Sequence, residues 1–311
     1  MAVRTVLEHM KTFFGLIRPF TLLAPVLISS SIIIASFFYH DIQESFFLVF
    51  IQLILPASLS LAILNGASNV LNQATDWKTD RYAKPYRPIP QGKATIRYAL
   101  CISCILYVIS LLLASLIHLT FFLFVFGIAI FTITYSLPPR LKDRLIFNQV
   151  WIGVPRGFLG ILASWSVFGT VLQPLPLIIS SISFFFLFGG CITKDVTDCE
   201  ADLRTGTRTL VNTYGMKKAG MMIFPFLFFP FLLIPFSINV GWISIHFWLL
   251  TFLAIPGYYI FHLMMEDQTR CLRFENTRAW TVMYLTYLTF ASCFSLCTIA
   301  VSYTHLTLPT N

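Results

Sequence analysis

The chain has 311 residues, 57% of them hydrophobic and only 11% charged. A soluble domain of this size has no use for so much apolar surface, so composition excludes one and points to a multi-pass membrane protein. The formal net charge of +8 follows membrane topology rather than a nucleic-acid surface, and no nucleic-acid partner is expected.

Arg4, Lys11 and Arg18 precede a first apolar run that lacks a small-residue cleavage site, so it reads as a span and not as a removable signal. Nine spans of about 20 residues are predicted. They lie near 19–39, 46–72, 96–117, 119–137, 146–168, 174–194, 219–237, 242–264 and 279–302. Short connections follow the odd-numbered helices: His40–Ser45, His118, Gly169–Gln173 and Ile238–Gly241. Long polar connections follow the even ones. Lys and Arg fall in the N-terminal segment and in those long connections, with Arg156 inside helix five as the exception. The opposite side carries Asp41 and Glu44. This asymmetry predicts a cytoplasmic N-terminus and cytoplasmic long loops, with the C-terminus on the other side of the bilayer.

The seven cysteines, at 101, 104, 191, 199, 271, 293 and 297, fall mostly inside apolar runs and read as small core residues. Glu266, Asp267, Arg270, Arg273 and Glu275 form a solvated mixed-charge loop, with Asn276 and Arg278 beside it as further site candidates. Residues 302–311 are polar and carry no helix signal. They are read as a tail outside a single membrane domain spanning 1–301.

Two acidic clusters stand out. Asn72, Asp76 and Asp80 recur every four residues at the end of helix two, on one face if the helix continues through them. Asp198 and Asp202 repeat that spacing at the end of helix six, with Asp195 one turn earlier. Stacked carboxylates repel and call for a cation between them. Oxygen ligands at this spacing suit a hard divalent ion, Mg2+ with a phosphate co-ligand. One cluster per half implies one bimetal site with a highly anionic ligand between the halves. The expected fold is therefore all-α: a nine-helix membrane bundle of two four-helix halves plus one, with the site where the halves meet.

Each cluster is followed by basic residues. Lys84-Pro85-Tyr86-Arg87-Pro88-Ile89-Pro90-Gln91-Gly92 is stiffened by three prolines, and its Lys84 and Arg87 are placed to hold phosphate oxygens. Tyr135-Ser136-Leu137-Pro138-Pro139-Arg140-Leu141-Lys142 repeats the design after helix four.

The N-x-x-x-D-x-x-x-D cluster, K-P-Y-R-P-I-P-Q-G, Y-S-L-P-P-R-L-K and K-D-V-T-D-C-E-A-D-L-R-T-G-T-R-T-L together resemble the UbiA superfamily of intramembrane prenyltransferases, from about Arg18 to Trp280. The resemblance implies nine helices around a cavity that binds Mg2+ and a prenyl diphosphate. It carries the metal-ligand role to Asn72, Asp76, Asp80, Asp195, Asp198 and Asp202, and the catalytic role to Asp76, Asp80, Asp198 and Asp202. It carries substrate contacts to Asn72, Lys84, Arg87, Tyr135, Lys142, Asn148, Arg156, Lys194 and Arg18. Some members have an Asp directly after the first Asn; here that place is Gln73.

The reaction so implied is Mg2+-assisted ionisation of a prenyl diphosphate and capture of the allylic cation by an acceptor. The expected acceptor is an aromatic quinone precursor; a glycerol-phosphate lipid or a chlorophyllide-like molecule is the alternative. An ion-coupled transporter is the competing class. Its sites lie near the bilayer midplane at broken helices, whereas these aspartates lie at helix ends beside stiff basic loops.

Overall fold

The computed structural model describes residues 2–266 and 277–307. An amphipathic helix, α1 (Ala2–Ile17), comes first, with Val6, Leu7, Met10 and Phe14 exposed along one side. Nine helices long and apolar enough to cross a membrane account for most of the remaining described residues. They are α2 (Pro19–Tyr39), α3 (Phe46–Thr75), α5 (Ile96–Ser115), α6 (Leu119–Ser136), α7 (Leu145–Trp165), α8 (Pro174–Thr205), α10 (Met216–Asn239), α11 (Ile245–Met265) and α12 (Arg278–Thr307). Two short helices, α4 (Trp77–Ala83) and α9 (Leu210–Tyr214), sit in the long connections. No strand occurs among the described residues.

Consecutive spans pack side by side, and α12 returns to pack against α2, so the nine close into a ring. The apolar core divides accordingly. One cluster joins residues of α2 through α7, including Ile33, Ile54, Leu64, Phe121 and Val125. The larger one joins α7 through α12 to the other face of α2, around Trp165, Phe186, Phe231 and Phe294. Lipid removes most of the hydrophobic incentive for helices to associate, so close packing and interhelical hydrogen bonds must do more. Ser60 and Ser110 donate to each other's carbonyls, at 2.9 and 2.8 Å. Ser30 meets Ser58 at 2.9 Å, and Tyr107 meets Thr132 at 2.9 Å. Each such bond contributes about 0.6 kcal/mol in a membrane.

The junction between α1 and α2 is held by side chains of α3. Arg18 adopts a left-handed conformation (φ 56°) and Pro19 opens the next helix. Breaking a helix there frees carbonyls, and three amides collect them. Gln73 donates to Gly15 O at 3.1 Å and Leu16 O at 2.7 Å. Asn69 donates to Ile17 O at 3.0 Å, and Asn65 to Thr21 O at 3.1 Å.

Several helix ends differ from the sequence expectation, three of them at polar stretches. Helix α3 runs to Thr75 rather than 72, and α8 runs to Thr205 rather than 194. Both extensions are polar, so a hydropathy window stops where the helix does not. Gly206, in the left-handed conformation (φ 81°) that glycine adopts without strain, ends α8. The last helix continues to Thr307, into the stretch expected to carry no helix signal. There the Ser302 hydroxyl bonds the Phe38 carbonyl of α2 at 2.9 Å. Of the mixed-charge loop before α12, residues Asp267, Arg270, Arg273 and Glu275 lie outside the described residues, as do Cys271 and Asn276.

Candidate active site

Helix α3 pauses at Asp76, whose backbone (φ −98°, ψ 12°) caps α3 and starts α4. The four-residue hydrogen bonding nevertheless persists. Asp76 N bonds Asn72 O at 2.9 Å, Asp80 N bonds Asp76 O at 2.8 Å, and Lys84 N bonds Asp80 O at 2.8 Å. Asn72, Asp76 and Asp80 therefore stay stacked on one face across the break. In α8 a 3-10 turn over Cys191–Lys194 tightens the helix just before Asp195, and Asp198 and Asp202 follow on the helical extension.

Each carboxylate but one has a polar or cationic partner. Arg87 Nη1 bonds both oxygens of the buried Asp80, at 2.9 and 2.8 Å. Lys84 Nζ reaches across to both oxygens of Asp198, at 2.5 and 2.6 Å. Lys142 contacts Asp76 and donates to Asn72 Oδ1 at 2.8 Å. Arg140 bridges Asp76 at 3.2 Å and Asp143 at 2.8 Å. Lys194 Nζ donates to Tyr135 Oη at 2.8 Å; that hydroxyl donates to Asn148 Oδ1 at 3.0 Å, and the Asn148 amide donates to Asp195 at 3.3 Å. Asp202 carries no side-chain partner among the described residues. Burial pushes the Asp80 carboxyl up from its ordinary value, against the pull of Arg87. Burial also pulls the Lys142 ammonium down, with Asp76 opposing.

All of these carboxylates face one cavity of about 370 Å³. Arg18, Asn72, Asp76, Asp80, Lys84, Arg87, Tyr135, Lys142, Asn148, Arg156, Lys194, Asp195, Asp198 and Asp202 all line it. Its polar end is made by the loop ends of α3 and α8 and by the connections after α3 and α6. Deeper in the bundle the wall is apolar, with Ile28, Leu61, Leu64, Ile128, Leu187 and Met283. Arg278 does not line it. The acids are spread around the polar end rather than gathered: no three His, Cys, Asp or Glu side chains converge on one point among the described residues. The cations drawn in between the carboxylates account for that spacing. The donor set is nonetheless all oxygen and faces one space, which fits Mg2+ by ligand type. Gln73 does not belong to it; buried at 1% exposure, it is spent on the α1–α2 junction.

Several lining residues escaped the sequence reading: Thr21, Asn65, Ser68, Asn69, Asp143, Trp151, Trp280 and Tyr284. Asn65, Ser68, Asn69 and Asn72 recur at helical spacing inside an apolar span, a signal present in the sequence. Nothing local marks Trp280 or Tyr284, which face the cavity from the opposite end of the chain.

A closed ring of apolar helices around a cavity that is ionic at one end and apolar below defines a multi-pass membrane bundle with an amphiphilic interior. The chain matches the UbiA prenyltransferase family over residues 22–286, and it belongs to that family. It is 31% identical over 172 residues to the digeranylgeranylglyceryl phosphate synthase of Methanosphaera stadtmanae, covering 54% of this chain and 60% of that one. That match thus spans less than two thirds of its relative's length. The synthase of the same name from Methanothermobacter thermautotrophicus is 27% identical over 241 residues, covering 77% of this chain and 84% of that one. The fold is that of a UbiA homologue from Archaeoglobus fulgidus bound to DMAPP and Mg2+, with a TM-score of 0.69 at 19% identity over 93% of this chain and 99% of that one.

Proposed function

We propose that the chain moves a prenyl group, inside the membrane, from an allylic diphosphate to a hydroxyl of a glycerol-phosphate lipid. The observation that carries the reaction class is the single cavity in which both acidic clusters and their cations face one another above an apolar wall. The acceptor follows the relatives, which are named as synthases of a glyceryl phosphate. The quinone-precursor acceptor expected from sequence finds no support among them.

In this reading Lys84, Arg87, Lys142 and Lys194 bind the diphosphate oxygens at the polar end. Asn72, Asp76, Asp80, Asp195, Asp198 and Asp202 would hold Mg2+, which supplies positive charge to the departing diphosphate. The prenyl chain lies along the apolar wall, where water is excluded and the aromatic faces of Trp151, Trp280 and Tyr284 face the allylic carbon's path. The carbon–oxygen bond to the diphosphate breaks, and its electron pair leaves with the diphosphate. The acceptor hydroxyl oxygen forms the new ether bond and gives its proton to the diphosphate or solvent. The site lies at the cytoplasmic face, with the N-terminus there and the end of α12 on the other side. A transporter is disfavoured because the carboxylates sit at the helix ends.

Purified protein with radiolabelled geranylgeranyl diphosphate, Mg2+ and a panel of acceptors tests this. The expected product is the ether of a glycerol-phosphate lipid, lost in EDTA and restored by Mg2+ or Mn2+. Full turnover in chelator would remove the metal from the reading, and transfer only to an aromatic acid would remove the acceptor.

A further inference from the structure

Arg156 lies in the middle of α7, its side chain is exposed, and it lines the cavity. Among the described residues no carboxylate pairs with it. Its backbone, by contrast, is fixed from two sides. Gly157 lets α7 press against α8: a Cβ there would meet the Phe184 backbone at 2.7 Å. The π-helical turn over Val154–Leu159 widens the helix and frees a carbonyl. Tyr287 of α12 donates to the Arg156 carbonyl at 3.0 Å, and Ser183 of α8 donates to that same tyrosine hydroxyl at 3.0 Å. A cation within a membrane helix is costly unless something answers its charge. Here the frame is fixed and no carboxylate among the described residues answers the charge, which leaves that role to a ligand.

That ligand charge differs from the diphosphate. Four cations already serve the polar end, and Arg156 stands eight residues deeper than Asn148 on the same helix, about 12 Å along its axis. Helical side chains lean toward the helix N-terminus, which for α7 is the polar end. The guanidinium therefore reaches up from below the diphosphate site. Opposite it, Trp280 and Tyr284 stack at 4.9 Å and offer an apolar wall. We propose that Arg156 receives the phosphate of the acceptor headgroup and so presents the acceptor's hydroxyl to the allylic carbon, selecting anionic over neutral acceptors. This rests on the glycerol-phosphate reading above.

The test compares two acceptor probes with the full chain in lipid nanodiscs: glycerol 1-phosphate bearing one geranylgeranyl ether, and the same ether without its phosphate. Arg156→Gln should lower kcat/KM for the phosphorylated probe by about 30-fold, as loss of a hydrogen bond to a charged group does. The neutral probe should change less than about threefold, and Arg156→Lys should recover part of the loss. The KM for the prenyl diphosphate should be unchanged, which reports an intact bundle. Equal losses with both probes, or a raised diphosphate KM, would overturn the inference. So would phosphorylated-probe transfer that Arg156→Gln leaves intact, and in that case the acceptor reading would survive. Wild-type transfer to 4-hydroxybenzoate and to neither glycerol probe would overturn the acceptor reading and this inference together.

Discussion

Lys84 and Asp198 form an ion pair at 2.5 Å between the loop that follows α3 and the polar extension of α8. It ties the two halves of the bundle at the mouth of the cavity, and it joins the motif of one half to the motif of the other. The two aspartate clusters thus border one space.

Removing one carboxylate from that space should cost far more than its share. Asp76→Asn and Asp198→Asn are each expected to lower single-turnover transfer by roughly 100-fold or more, the scale for one group that stabilises developing charge. The double variant should lose much less than the product of the two, because the groups act as a unit. Glu200→Gln is the control: Glu200 is exposed and bonds only Arg204, at 2.6 Å, among the described residues. Asp143 would be a poor control, since it lines the cavity and holds Arg140. A multiplicative loss in the double variant would separate the two clusters.

The Arg87–Asp80 pair should matter for stability as well as chemistry. Both side chains are buried, at 7% and 3% exposure. Arg87→Met leaves the buried Asp80 carboxyl without its hydrogen-bonded partner, a change worth about 3–5 kcal/mol at a buried pair. Thermal unfolding in detergent should show a lowered Tm for Arg87→Met, partly restored when Asp80→Asn is added. No recovery in the double variant would mean that Arg87 stabilises the fold by packing.

Gln73 offers the converse separation. Gln73→Ala orphans the carbonyls of Gly15 and Leu16, at about 1–3 kcal/mol for unpaired buried groups. Tm should fall while the KM for diphosphate and the Mg2+ requirement stay as they are. A shifted Mg2+ requirement would return Gln73 to the site.

Topology can be read with reporters. Fusions after Gly92, Arg144 and Arg208 are expected to report the cytoplasm, and one at Asp41 the other side. Opposite readings at Gly92 and Arg208 would contradict the Lys84–Asp198 pair directly.

The spans were legible because each is an apolar run bounded by polar punctuation, and their number and order follow from that. The acidic clusters that line the cavity were legible because a four-residue repeat on a helix end has few other uses. What the sequence withheld depends on contacts between distant segments. Hydropathy ended helix six at 194 because the DVTDCEADLRT extension is polar, yet that extension carries the second acidic cluster. The spacing of Asn65, Ser68 and Asn69 was visible, but their task depends on α1 bending back to offer its carbonyls. Trp280 and Tyr284 reach the cavity only because α12 closes the ring.

That closure sets the order of assembly. Helix α2 precedes its partner α12 by seven other spans. Until α12 is in place, one flank of α2 lacks its packing partner, while the amides of α3 hold its near end. The cavity wall that includes Trp280 and Tyr284 is missing for the same interval. A chain in which α12 is not yet inserted therefore lacks at once its seam against α2 and that part of the cavity wall.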